Sequence, residues 1–307
     1  MASCETQLWN LVREIEPSQA QKDGAIRSHN YLRDILCTGQ MASRIIDHYL
    51  SGSYSRDTAI KPLDDVDVIF VIDLSKWTSS LLGFPPPETV LTSFANAIRY
   101  RYPVSSVYGQ RRSVRLELYH LNIDVVPAIN ADSRGDFIWI PNKDSSNWIK
   151  SSPKKHAENA TEVNKLQEGK FKPLVKLLKL WNGNLPSTAN FKSFAIETIA
   201  VRVFRTIRFQ SLEEGLLQFF DFIAYLSGNQ TVARFGWKNK CGISFSMFEC
   251  IVPDAAGTGS NTTADVDEER KKRFIENAVR SRDRMLDAQK TLSVDAACKR
   301  VSEALRI

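Results

Sequence analysis

The chain has 307 residues, 43% of them hydrophobic and 25% charged, with a formal net charge of +6, proportions of a soluble globular protein with room for one large domain or two lobes. No run of eighteen apolar residues occurs, and the opening residues MASCETQLWNLVREIE lack a basic stretch followed by an apolar core, which argues against a membrane span and a secretory signal. Five scattered cysteines (Cys4, Cys37, Cys241, Cys250 and Cys298) form no CxxC pair and do not group with the four histidines, the pattern of reduced thiols in a cytosolic protein rather than of a disulfide framework or a zinc site.

Residues 24–50 carry apolar side chains at Leu32, Ile35, Leu36, Ile45, Ile46, Tyr49 and Leu50, a spacing that predicts one long helix or two stacked ones. The stretch GSYSRDTAIKPLDDVDVIFVID, Gly52 to Asp73, follows. Its VDVIFVID segment is β-branched and aromatic on both parities, the pattern of a central strand covered on both faces. PPPE at 85–88 opens a helix expected to run through Tyr100. VSSVYG, SVRLELYHL and IDVVPAI read as neighbouring strands. After residue 150 helical patterns dominate: PLVKLLKLWN (173–182), SFAIETIAVRVFRTI (193–207) and LEEGLLQFFDFIAYL (212–226) are apolar enough for core helices. A loop rich in Gly, Thr, Ser and Asp (253–269) precedes two amphipathic helices. The order is a mixed α/β lobe and then a helical one.

Residues i and i+2 of a strand share a face, so Asp65 and Asp67 project side by side while Asp64 has the wrong parity. A DxD pair alone also describes a solvated strand end. Two adjacent carboxylates repel, and one takes up a proton unless a cation joins them. Mg²⁺ suits such a place, since it binds carboxylates together with substrate phosphates and water. Asp124, again charged within an apolar strand, supplies a third carboxylate. In the Gly-Ser element that ends twelve residues ahead of the pair, Gly52 permits close approach of backbone N–H groups to an anion and Ser53 offers a hydroxyl. Ser55 and Thr58 read as turn residues. Arg111, Arg112 and Arg115 read as a solvated edge strand, and Arg270, Lys271, Lys272 and Arg273 as a wet helix face. A pI near 9.0 suits polyanions without choosing among them.

Gly-Ser, a spacer, Asp-x-Asp at a strand start and a later aspartate together resemble the DNA polymerase β-type nucleotidyltransferases. The wording of residues 52–73 is similar to one branch, the bacterial cGAS/DncV-like CD-NTases of the SMODS type, cyclic-oligonucleotide synthases of CBASS antiphage defence. LVKLLKLWN, FKSFAIETIAVRVF and PDAAGTGSNTTADV extend the resemblance over most of residues 45–300. It implies a bilobed α/β (α+β) fold: residues 1–155 form the nucleotidyltransferase core with an N-terminal long helix, and residues 156–307 a helical lobe closing the nucleotide-binding cleft. It implies that Asp65, Asp67 and Asp124 are catalytic and hold two Mg²⁺ ions (Mn²⁺ able to substitute), and that Gly52 and Ser53 grip the donor triphosphate. Lys179 and Ser193 would hold its outer phosphates. Phe194 would stack on a base, where relatives often carry tyrosine, so a hydrogen bond from that position is lost. The NTP substrates would be ATP, GTP or others, the product a cyclic di- or trinucleotide read by an operon-encoded effector, and a regulatory protein or nucleic-acid activator is admitted. From the residues alone, Lys179 is also a solvated lysine on an amphipathic helix, with Lys172 and Lys176 as competitors, and Phe194 a core aromatic. An RNA-tailing or nucleotidylating enzyme and a catalytically silent nucleotide-binding protein stand as alternatives.

Overall fold

The computed structural model describes residues 3–77, 83–227, 235, 237, 240–246 and 249–307. The chain divides into two compact units. One is Pro17–Ala157; the other joins Met1–Glu16 to Glu158–Ile307.

In the first unit, helix α2 (Gln19–Thr38, following α1, Glu5–Ile15) starts at a capping box. Ser18 Oγ accepts from the Gln21 amide, and Gln21 Oε1 accepts from the Ser18 amide. The helix stops before Gly39, where a Cβ would lie 2.5 Å from the Ile35 carbonyl oxygen. The expected continuation of this helix to residue 50 is not what forms. Ile45–Ser51 is strand β1, because Ile45 and Ile46 are β-branched and the segment pairs antiparallel with β2 (Asp65–Ile72). One helical turn, α3 (Gly52–Ser55), connects the two. Helix α4 (Pro87–Arg101) has proline at its first position, as its sequence predicts.

Strands β3 (Ser106–Gly109), β4 (Val114–Leu118) and β5 (Leu121–Asn130) complete a sheet path of order β1-β2-β5-β4-β3. β2 and β5 are parallel and the other pairs antiparallel. β6 (Ile138–Asn142) pairs with β5 and with β7 (Asn147–Ser151). The parity of β2 sorts its side chains. Val66, Val68, Phe70 and Ile72 join α2 and α4 in the main core through Leu32, Leu36, Val90, Phe94 and Ile98. Ile69 and Val71 face the other way, into a smaller cluster with Val126, Ala128, Ile138 and Tyr49. The strand is thus covered on both faces, and Asp65 and Asp67 occupy the mouth of the second face.

The other unit is helical: α5 (Pro153–Leu166, which begins at the end of the first unit), α6 (Phe171–Gly183), α7 (Ser193–Phe204), α8 (Leu212–Leu226), α9 (Glu268–Lys290) and α10 (Val294–Leu305). A two-stranded ribbon, β8 (Ser244–Phe245) with β9 (Cys250–Ile251), lies between α8 and α9. The core is aromatic. Trp181 is fully buried and donates its indole N–H to Ser281 Oγ at 2.9 Å, and Phe191 stacks on Phe274. Residues 3–16, expected with the first unit, pack here instead, since Cys4, Leu8 and Val12 belong to this core. The expectation of five reduced cysteines is also corrected. Cys4 and Cys298 form a disulfide with Cα atoms 5.2 Å apart, while Cys37, Cys241 and Cys250 stay outside any disulfide. A separation of 294 residues leaves no local spacing to read. Among the described residues, no helix is long and apolar enough to cross a membrane.

Candidate functional site

The sheet register places five side chains in one row. Ser51 on β1 lies opposite Asp67 on β2, Asp67 opposite Asp124 on β5, Asp124 opposite Arg115 on β4, and Arg115 opposite Tyr108 on β3. Neighbours in register face the same side. Asp65 lies two residues before Asp67 and shares that face. The three aspartates named from the sequence are therefore brought together at one edge of the second face.

Gly52 is tied to this row. Its φ is +71°, and a Cβ there would sit 1.9 Å from Asp67 Oδ2. Glycine is required twice, by the left-handed backbone and by the carboxylate packed against it. Ser53 follows in α3, half-buried, with its carbonyl accepting from the Thr58 amide at 3.0 Å. Ser55 donates its hydroxyl to the Gly52 carbonyl, and Thr58 is fully buried, in keeping with turn roles. Asp64 and Asp73 lie outside the cluster: the Asp64 carbonyl accepts from the Asn122 amide, and Asp73 caps a turn through the Ser75 amide.

The electrostatics of the row are unbalanced. Burial, with the like charges of Asp65 and Asp124 added, pushes Asp67 up to about 7 against the opposing pull of Arg56 and Arg115. Asp65 is about half exposed and Asp124 is buried. Arg115 is the residue that sequence reasoning missed. It is not a solvated edge residue: its Nε and Nη2 donate to the two Asp124 oxygens at 3.0 and 2.7 Å, and Nη2 lies 3.8 Å from Asp65 Oδ2. That bidentate bond is the main cause of its raised pKa. Arg111 bonds Asn142 and Asp144 instead. Arg56, buried just after α3, is a further cation of the site, and the sequence reading does not name it.

As the side chains stand, no three His, Cys, Asp or Glu groups among the described residues converge closely enough to hold an ion. The guanidinium of Arg115 occupies the space between Asp124 and Asp65. The donor set nevertheless fits a hard divalent cation: three carboxylates on one face, one of them raised by burial and by the charge of the others, with the bare Cα of Gly52 making room for the Asp67 carboxylate itself.

In the helical unit, Lys179 on α6 is 4% exposed and pairs with Glu197 on α7, 3% exposed, at 3.0 Å. The solvated-lysine alternative is therefore corrected. Lys176 is also buried and pairs with Glu16. Ser193 is exposed at the first position of α7, and Phe194 beside it is half-exposed rather than a core aromatic. Glu197 lies one turn further along the same helix and fixes the Lys179 ammonium there. Among the basic run on α9, Lys271 is not wet either: it is 4% exposed and donates to the Ser246 and Glu249 carbonyls. The 253–267 loop is pinned by Arg202, which donates to the Pro253 and Asp254 carbonyls.

Residues 2–164, more than half of the chain, match the family model of the Second Messenger Oligonucleotide or Dinucleotide Synthetase domain, SMODS. The chain belongs to this family. Among curated relatives, the SMODS protein described here is 34% identical over 206 residues to a cyclic AMP-AMP-AMP synthase of an Acinetobacter species, an alignment covering 64% of this chain and 57% of that one. It is 27% identical over 177 residues to the cyclic UMP-AMP synthase of Rhodothermus marinus, covering 50% and 61%. The chain thus spans less than two thirds of the length of these relatives. Among solved structures, CdnC of Escherichia coli with ATP superposes with a TM-score of 0.74 at 20% identity, over 98% of this chain and 97% of that one. CdnG of Bradyrhizobium diazoefficiens with GTP gives 0.70 at 13% identity, over 97% of each. These likenesses establish the polymerase β-like fold of the CD-NTases.

Proposed function

We propose that this protein is a nucleotidyltransferase that builds a cyclic di- or trinucleotide signal from ribonucleoside triphosphates. The observation that carries the reading is the register row that sets Asp67 beside Asp124, with Asp65 on the same face and Gly52 packed on the Asp67 carboxylate. Binding alone does not need three carboxylates drawn into one place against their mutual repulsion; in-line displacement at a phosphate does.

Gly52 and Ser53 receive the donor triphosphate through backbone N–H groups and the Ser53 hydroxyl. Asp65, Asp67 and Asp124 would hold two Mg²⁺ ions, with Mn²⁺ able to substitute, and these would supply Lewis acidity to the attacking hydroxyl and to the departing pyrophosphate. An acceptor ribose hydroxyl bonds to the α-phosphorus as the bond to the bridging oxygen breaks and pyrophosphate leaves. Asp124 takes or orients the hydroxyl proton. Both of its oxygens are engaged by Arg115, so Arg115 must release at least one before Asp124 can act. Lys179 and Ser193 hold the outer phosphates and Phe194 stacks on a base, with Glu197 fixing the lysine. Repeating the transfer on the linear intermediate closes the ring.

Kinship with curated cyclic-nucleotide synthases supports this reading over RNA tailing. The same kinship supports a cytoplasmic place in CBASS antiphage defence, with an effector reading the product. CdnC of Escherichia coli was solved in complex with HORMA-deltaN, which supports a regulatory protein partner here as well. The test is incubation with labelled NTPs and Mg²⁺, with candidate activators in parallel, followed by phosphatase. A phosphatase-resistant product is expected; linear, phosphatase-sensitive products alone would point to tailing.

A further inference from the structure

The row that carries the aspartates continues past Arg115. Tyr108 on β3 lies opposite Arg115, and the next row on the same face runs Asp65, Asn122, Glu117, Ser106. Tyr108 is 39% exposed, and its hydroxyl donates to Glu117 Oε1 at 2.7 Å. That bond raises the Tyr108 pKa, and the Arg115 guanidinium, which reaches the same hydroxyl, opposes the rise. The contacts run without a break from Asp124 through Arg115 and Tyr108 to Glu117.

Arg115 is thus set between two carboxylates. Asp124 takes two of its N–H groups, out of the five that a guanidinium offers. Glu117 stands two residues further along the same strand, about 7 Å away, within the swing of an arginine side chain. Among the described residues no ion pair holds Glu117. On this face of β3, β4 and β5 only Asp124 and Glu117 are acidic.

The two carboxylates differ in burial, and burial decides which one holds the guanidinium. The Asp124 side chain is 9% exposed, so without a cation it is an uncompensated buried charge. Glu117 is exposed; water already solvates it, and an ion pair there adds little. With the aspartates empty of metal, Arg115 therefore belongs on Asp124. A divalent cation on the aspartates reverses the balance, because it satisfies Asp124 and repels the guanidinium beside it. Arg115 keeps its charge at any working pH. It then needs another acid, and Glu117 is the one on its own strand and face, with the Tyr108 hydroxyl between them.

We propose that Glu117, with Tyr108, is a second seat for Arg115: the guanidinium moves along β4 from Asp124 to Glu117 when the aspartates take a divalent cation. Tyr108 and Glu117 are positioning residues, which act on the carboxylate site through Arg115. That a divalent cation drives the move rests on the synthase reading; the existence of the second seat does not.

Two experiments on the full chain test these parts separately. The first uses no metal: hydrogen exchange at the Arg115 Nε–H is followed by NMR in EDTA, with isotope-labelled arginine. Asp124→Ala removes the first seat, and the N–H is expected to stay protected because the guanidinium takes Glu117. Adding Glu117→Gln to that variant is expected to speed exchange about tenfold or more. Equal exchange in the two variants would overturn the proposal. The second needs no change at Asp124, and reads Mn²⁺ binding, without nucleotide, from loss of the free-ion EPR signal. Glu117→Gln is expected to raise the half-saturating Mn²⁺ concentration about fivefold in the otherwise wild-type chain. In the Arg115→Gln background, with no guanidinium to seat, the same change is expected to have an effect of less than about twofold. An equal rise in both backgrounds would make Glu117 a distant surface charge and overturn the proposal, as would no rise in either. Mn²⁺ binding by no variant, with the exchange result as expected, would fault the metal reading of the aspartates and leave the second seat standing.

Discussion

Gly52→Ala probes the junction of the Gly-Ser turn and the carboxylate row. The residue sits at φ +71°, and an added Cβ would lie 1.9 Å from Asp67 Oδ2, where contacts closer than 3.0 Å essentially do not occur. The carboxylate oxygen must therefore retreat by about 1.1 Å, the difference between those two distances. Rotation of Asp67 can clear Oδ2 and Cγ, but Cβ at 3.2 Å moves only with the strand, which must give by a few tenths of an ångström as well. The left-handed backbone costs an alanine about 1–2 kcal/mol. Displacing a reacting geometry by about 1 Å costs on the order of 10²-fold in rate. The expected outcome is a folded protein with a modestly lower thermal midpoint and turnover reduced about a hundredfold, measured by NTP consumption under saturating Mg²⁺. Turnover within about threefold of wild type would show that Asp67 need not hold its place, and would refute the assignment of Gly52 as its packing partner.

Two further substitutions test the charge balance of the row. Asp67 is raised to about 7 from 3.8, so its folded-state proton is retained while the unfolded chain gives its own up. Stability is whole below about pH 4 and falls as pH rises to about 7, by an upper figure of about 4 kcal/mol. Asp67→Asn removes this titration. In EDTA its thermal midpoint is expected to rise relative to wild type between pH 5 and pH 8; a difference that does not change with pH would contradict the electrostatic account. Arg115→Gln leaves Asp124 without its bidentate cation. Removing a guanidinium that competes for that carboxylate is expected to lower the Mg²⁺ concentration giving half the maximal thermal shift, by about tenfold. A higher requirement would mean that Arg115 assists the metal rather than standing in its place.

Much of the carboxylate face is legible in the sequence because it depends on parity. A DxD at the start of a run that is apolar on both parities fixes which carboxylates share a side, and the structure keeps Asp64 out for that reason. The Gly52 signal was legible for the same kind of local cause, a backbone that must be bare. Arg115 was not read correctly, because its partner is set by the pairing of β4 with β5. Yet the cue was present: Leu118 pairs with Leu121 around the two-residue turn Tyr119–His120, and counting outward from that turn brings Arg115 opposite Asp124. Ile45, Ile46, Tyr49 and Leu50 of strand β1 satisfy a helical spacing too, and β-branching is the better arbiter. The start of α2 was written in Ser18 and Gln21, five residues ahead of where periodicity alone begins. The burial of Lys179 against Glu197, the disulfide between Cys4 and Cys298, and the packing of residues 3–16 with the C-terminal helices depend on long-range contacts that no local pattern encodes.

The most direct measurement compares wild type with the Asp65→Ala/Asp67→Ala variant in labelled NTPs, Mg²⁺ and phosphatase, with circular dichroism on both. A resistant cyclic product from wild type, none from the variant, and matching spectra are expected. Product from the folded variant would contradict the claim that these carboxylates carry the chemistry, and no nucleotide transfer by wild type with any NTP mixture and activator would contradict the synthase reading itself.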